Sequence, residues 1–220
     1  MASHTYSAVS ALAIAEYFLF LAAEDFTATE PITPMKLQKL AYYAQGYSLA
    51  LHDRPLFHEP IQAWRYGPVV ESIYYAYRRY GGSAIPSPEG YDPTQLPPDA
   101  TRLLNQVYGT YGPHGAWTLS LMTHAEQPWR DTPPSAIIDP ELMRDFFGRQ
   151  LRTAAAQRQE ATAQLIADEE DEESEFSMNE RERLIDAAIA TQALEGLTLP
   201  RDIAEDAFAA AQRRPLLDLR

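Results

Sequence analysis

Cysteine is absent from the 220 residues. That removes disulfide frameworks, thiolate metal sites and cysteine nucleophiles, and it fits a reducing compartment. Cations are scarce: 18 Lys and Arg stand against 31 Asp and Glu, a formal net charge of −13. Binding through phosphate neutralisation needs clustered cations, and no basic helix-turn-helix recognition segment stands out. The chain alone is therefore not expected to bind nucleic acid. Long apolar runs are missing too. Ala8–Ala23 is interrupted by Glu16, is too short for a comfortable bilayer span, and lacks the basic start of a secretory signal. It reads as a buried helix, and the expectation is a soluble, cytoplasmic protein with no membrane partner. No glycine-rich phosphate loop, HExxH or nucleophile elbow occurs. His52 and His58 flank a proline-containing loop, and His114 and His124 bracket a helix; neither spacing is that of a metal pair. Carboxylates are numerous, but none singles itself out as an acid–base pair. No catalytic residue, metal or cofactor is expected, and the chain reads as non-enzymatic.

What remains is ample for a core, with 45% hydrophobic residues in a length that suits one or two domains. Charge is uneven. Residues 1–150 carry a net −5 and residues 151–220 a net −8, and seven of the eight residues Asp168–Glu175 are acidic. Such a run repels itself and stays solvated. The expected organisation is a helical domain over 1–167, an acidic linker over 168–176 and a helical tail over 177–220.

The fold class expected is mainly α, with at most a short β-hairpin. Ser7–Glu24 is rich in Ala and Leu. Thr33 before Pro34 suits an N-cap with proline in the first turn. The helix that follows places Leu37, Leu40, Ala41, Ala44, Tyr47, Ser48 and Leu51 on one side, with Lys36, Gln38 and Lys39 largely off that stripe. Leu56–Tyr66 is too short and polar for a helix and suits a hairpin or an extended arm. Gly67-Pro68 looks like the start of a helix over Val69–Tyr80, closed by Gly81-Gly82. A proline-rich loop over Pro86–Pro98 precedes helices at Asp99–Tyr108 and Ala116–Ala125, the latter followed by a loop over Gln127–Pro134. Asp139-Pro140-Glu141 caps a helix running from Met143 towards Asp168. In the tail, Ser177-Met178-Asn179-Glu180 fits a capping box, and two short amphipathic helices follow.

Aromatic residues are the most suggestive feature. Tyr42, Tyr43 and Tyr47 share one helix, and Trp64 and Tyr66 precede Tyr74, Tyr75, Tyr77 and Tyr80. Arg65, Arg78 and Arg79 lie among them. Tyrosine and arginine anchor protein interfaces because they combine rigid area with a polar tip. A tyrosine-rich core with satisfied hydroxyls accounts for such a pattern equally well.

Three segments resemble the Panacea (SocA-like) antitoxin domain: Ile32 to Gly46, containing Lys36, Gln38, Tyr42 and Tyr43; Ala63 to Val70, containing Trp64, Arg65, Tyr66, Gly67 and Pro68; and Leu119 to His124 with Pro128-Trp129, containing Thr123 and His124. They follow the family's order over about residues 7–150. The resemblance implies a compact helical domain that neutralises a cognate protein toxin without catalysis. One variant of the family delivers its toxin to an AAA+ protease, so a proteolytic adaptor is the alternative. In structural terms Trp64, Gly67 and Pro68 suit a loop-to-helix corner, and Thr123, His124 and Trp129 suit a loop locked onto the core.

Ala190 to Leu197 in the tail is similar to the inhibitory helix of VbhA-like antitoxins of Fic-type nucleotidyltransferases, whose pattern Thr191, Glu195 and Gly196 match. Thr191 and Glu195, four apart, would share a helix face. The resemblance implies that Glu195 pairs with an arginine of the toxin and obstructs nucleotide placement, a bidentate and geometrically selective contact. A helix C-terminus with Glu195 exposed and Gly196 as its cap is the plainer alternative.

Overall fold

The computed structural model describes residues 9–164. By contact the chain divides into Met1–Ala154 and Ala155–Arg220, and the first unit is the subject below. The expected acidic linker and the tail with Thr191, Glu195 and Gly196 lie outside the described residues.

The fold is mainly helical. In chain order come α1 (Ala11–Glu24), α2 (Pro34–His52), the strands β1 (Ile61–Trp64) and β2 (Gly67–Val70), α3 (Glu71–Tyr77), α4 (Pro98–Tyr111), α5 (Ala116–Ala125) and α6 (Gln127–Arg130). A further helix, α7, begins at 140 and is described to 164. Local signals set these boundaries. Ser10 Oγ accepts from the Ala13 amide and Thr33 Oγ1 from the Lys36 amide, so both first turns have a side-chain cap. Asp139 accepts from the Glu141 amide at 2.9 Å where α7 opens.

The spine of the domain is α2. Every residue from Lys36 to Gly46 is buried, because α1, α3, α4, α5 and the hairpin pack around it. The expectation of one buried stripe therefore needs correction. Lys36, Gln38 and Lys39 are buried rather than off the core, and Leu51, placed on the stripe, is exposed. A helix enclosed on all sides is normally apolar all round. Here its polar side chains instead hold loop backbone that has no ladder partner. Lys36 Nζ donates to the carbonyls of Glu30 (2.8 Å) and Gly112 (2.7 Å). The Gln38 amide accepts from the Val70 N–H at 2.8 Å and donates to its carbonyl at 3.2 Å, as a neighbouring strand would. Gln45 accepts from the amides of Leu56 (2.8 Å) and Phe57 (3.2 Å) and donates to the Phe57 carbonyl at 3.0 Å. Buried backbone groups need such partners. Gln45→Ala, which orphans three of them, is expected to lower stability by about 2 kcal/mol in urea unfolding, with the helical circular dichroism of the folded state unchanged.

Residues 67–70 form a strand and not the start of a helix. β1 and β2 are antiparallel, with Ile61 opposite Val70 and Trp64 opposite Gly67. Arg65 and Tyr66 make the turn. Neither has a positive φ, so the left-handed step falls on Gly67, at φ +106°. Pro68 has no N–H to donate, which suits a strand whose far side meets side chains and not a third strand. The outer edge of β1 is covered by the segment before α7, where Ala63 and Ile61 bond Ser135, Ala136 and Ile138. The helix expected over Val69–Tyr80 shortens to α3 plus a 3-10 turn at Arg78–Tyr80. In turn α4 runs past Tyr108 to Tyr111, and the expected loop over Gln127–Pro134 contains α6.

Candidate functional site

The three family-like segments meet at the hairpin turn. α2 supplies the floor, the hairpin the overhang, and α5 with α6 the side wall. Gly67 is wedged between them: a β-carbon there would lie 2.5 Å from Lys39 Cε, 2.7 Å from Lys39 Nζ and 2.9 Å from Thr123 Oγ1. Lys39 Nζ donates to the Pro68 carbonyl at 3.2 Å. Ser120 Oγ donates to the Tyr66 carbonyl at 3.0 Å, and Thr123 Oγ1 to the Ser120 carbonyl at 2.9 Å. Trp129 Nε1 donates to the Trp64 carbonyl at 2.9 Å, and its ring stacks on His124 with centroids 4.0 Å apart. Trp129 thus holds the hairpin backbone directly, His124 stacks on the Trp129 ring, and Thr123 packs beside Gly67. Trp64, Gly67 and Pro68 make a hairpin turn in place of the expected corner into a helix.

Two clefts open on this assembly. One, of about 510 Å³, is lined by Met35, Gln38, Lys39, Trp64, Arg65, Tyr66, Tyr74 and Arg78, with Pro34, Val69 and Gly81. The other, of about 620 Å³, adjoins it through Met35, Tyr66 and Gly81 and reaches Glu30 and Trp117. Between them stands an exposed aromatic pair. Tyr66 and Trp117 meet edge to face at 6.0 Å and keep 51% and 63% of their surfaces in solvent. Trp64 meets Tyr74 edge to face at 4.9 Å deeper in the first cleft. Large rigid rings held in solvent are the usual material of interface anchors.

The electrostatics of the floor are unusual. Lys39 is buried with no carboxylate partner among the described residues, and burial lowers its pKa to about 7. His124 is also lowered, first by desolvation and then by the charge on Lys39, against a hydrogen bond with the Arg65 backbone. Its Nε2 is buried and has no hydrogen-bond partner among the described residues.

Tyr42 and Tyr43, both family-like positions, point the other way, into the core. Tyr43 stacks on Tyr111 at 3.7 Å and donates from its hydroxyl to Glu126 Oε1 at 3.0 Å. Among the described residues Glu126 Oε2 and the Tyr42 hydroxyl have no partner in full hydrogen-bonding geometry, although the two groups lie close enough to interact. Burial raises Glu126 to about 7, against the stabilising influence of Tyr42 and Tyr43. Glu126 lines neither cleft, so this carboxyl has no route to a substrate there. Among the described residues no group of His, Asp and Glu has the arrangement of a metal site, and no helix is long and apolar enough to cross a membrane.

Sequence reasoning picked out Lys36, Gln38, Trp64, Arg65, Tyr66, Gly67, Pro68, Thr123, His124 and Trp129, and the structure brings most of them around one turn. Lys36 stands apart, tying the segments at Glu30 and Gly112. Trp117 and Glu126 were missed. A single exposed tryptophan or a single buried carboxylate leaves no periodic signal.

Residues 37–130 match the family described as Antitoxin SocA-like, Panacea domain, inside the span of about 7–150 expected from the sequence. A stretch of 55 residues is 38% identical to the antitoxin SocA of Caulobacter vibrioides, covering 25% of this chain and 29% of that protein. The matched stretch thus spans less than a third of the relative's length. No solved structure matches the chain.

Proposed function

We propose that this chain, whose residues 37–130 are of the SocA-like Panacea type, is an antitoxin that neutralises a protein toxin by direct binding and catalyses nothing. The family match carries the reading. The solvent-exposed Tyr66–Trp117 pair beside the clefts supports it, since a binding module needs rigid anchors held in solvent. The test is co-expression. Cells making the toxin alone arrest, and cells making both proteins grow; continued arrest with both proteins present at equal levels overturns the reading.

In its finer form the toxin is a Fic-type nucleotidyltransferase. Glu195, with Thr191 and Gly196, then occupies the arginine that holds a nucleotide phosphate. Support for this comes from the sequence pattern alone. Glu195→Ala is expected to restore nucleotidyl transfer by at least tenfold, the scale of one bidentate charge pair, while the two proteins still co-purify. Equal inhibition by Glu195→Ala and wild type would remove the obstruction mechanism. Faster disappearance of the toxin, seen only with an active AAA+ protease, would replace it with delivery for proteolysis.

A further inference from the structure

A hollow whose charged residues are all cationic stands out in a chain with 31 acidic and 18 basic residues. Of the eleven residues lining the 510 Å³ groove, Lys39, Arg65 and Arg78 are basic, and none is acidic. Both arginines are exposed, and neither forms an ion pair among the described residues. Each guanidinium lies beside a tyrosine ring instead, Arg65 at 5.4 Å from the Tyr66 centroid and Arg78 at 5.1 Å from that of Tyr75. Their hydrogen-bonding forks are therefore available to a ligand. On the floor, Lys39 uses a single described bond, to the Pro68 carbonyl. The walls between these cations are aromatic: Trp64, Tyr66 and Tyr74.

Cations around aromatic walls select an anion with an apolar body. Two further observations choose among such ligands. The aromatic surface does not stop at the groove's mouth. Trp117 at 63% exposure and Tyr75 at 58% continue it on separate elements, more surface than a small anion in the groove would cover. A nucleic acid would place many phosphates against a chain of net charge −13, whereas a short acidic peptide brings only a few charges to the cationic spot.

We propose that the groove is the seat for an acidic segment of a protein partner, with an aromatic or long aliphatic side chain among Trp64, Tyr66 and Tyr74 and flanking carboxylates on Arg65 and Arg78. The inference rests on the antitoxin reading in one respect, that it takes this partner to be the toxin. Arginine pairs with carboxylate through two parallel hydrogen bonds, which fixes the segment's register as well as its charge.

The experiment is a selection from a random peptide display library on the immobilised full-length chain, repeated on the double variant Arg65→Glu/Arg78→Glu. Both arginines are exposed and outside ion pairs, so the variant is expected to melt within a few degrees of wild type, and a matching thermal transition confirms that it folds. The expected result is enrichment of peptides with at least two Asp or Glu flanking an aromatic or Leu. Their affinity falls at least tenfold on the double variant. Enrichment of neutral or basic peptides, no enrichment, or equal binding to the two proteins overturns the proposal. Single variants Arg65→Gln and Arg78→Gln provide a second, milder check, each expected to weaken the same peptides severalfold. The readout needs no toxin. Failure of growth rescue by the wild-type chain would sink the antitoxin reading and leave the peptide result standing. Rescue unaffected by the double variant would sink the assignment of the groove to the toxin alone.

Discussion

Gly67→Ala is expected to lower stability by about 4 kcal/mol, in the range where a single change threatens folding. Two penalties combine. At φ +106° a β-carbon is strained wherever it points. The carbon would also collide with the far end of the Lys39 side chain and approach the Thr123 hydroxyl, both buried. Neither neighbour can retreat cheaply, since Lys39 would have to give up the Pro68 carbonyl and Thr123 the Ser120 carbonyl. Urea unfolding of wild type and variant measures the difference. A loss under 1 kcal/mol would mean that the hairpin turn relaxes freely, contrary to its described packing. Gly81→Ala is the control, because nothing lies within 4 Å of its β-position and only the backbone strain at φ +57°, ψ −116° remains; it is expected to cost about 2 kcal/mol.

Glu126→Gln is expected to raise stability at pH 8 and to change it little at pH 4.5. In the folded chain Glu126 titrates near 7, raised from 4.5 chiefly by burial. Between those values the folded state holds a proton that the unfolded state has released. The stability this proton represents is full below 4.5 and lost as pH rises through 7. A shift of this size is worth on the order of 3 kcal/mol, or roughly 10 °C in melting temperature for a domain of this length. Glutamine keeps an acceptor for Tyr43 and carries no charge, so its profile lacks the decline. Lys39 acts with the opposite sign. Its folded pKa, lowered by burial to about 7 from 10.5, makes the unfolded state bind more protons in that interval. Its penalty is full below 7 and relieved as pH approaches 10.5. Together the two groups place a trough in wild-type stability near neutral pH. Melting temperatures of both proteins from pH 4.5 to 10 test this, and subtracting one profile from the other isolates the carboxyl from every other titrating group. Parallel profiles would show that Glu126 stays ionised in the fold.

Both effects come from residues on or beside the three family-like segments, and they show what the sequence made legible. Caps were readable: Thr33-Pro34 opens α2, Asp139 opens α7, and α5 covers Ala116–Ala125 as expected. These signals are local, and local physics decides them. Gly67-Pro68 was misread because a glycine-proline step serves a helix start and a hairpin equally well. The choice between them rests on Gln38, 32 positions away from Val70, which supplies the missing strand contact. The stripe on α2 misled for a similar reason. A period of three and four finds one buried face, but from Lys36 to Gly46 this helix is enclosed all round, and its lysines and glutamines serve backbone groups from three loops and from β2. The helix expected to end at Tyr108 continues to Tyr111 because its buried face, Ala100, Leu103, Leu104, Val107 and Tyr111, carries on past Gly109. At the candidate site, the motif residues were visible as a set. Their division was not: Trp64, Tyr66 and Arg65 face the groove, whereas Tyr42 and Tyr43 serve the core.

If the chain binds and silences a protein toxin, the two proteins form a complex in the cell. The most direct measurement is a native pull-down with the full-length chain from its own cells, read by mass spectrometry, followed by expression of each captured protein alone and with the chain. The expected result is a partner that stops growth alone and becomes harmless when bound. Capture of proteins that are harmless on their own, or a toxic partner that stays toxic in the complex, would contradict it.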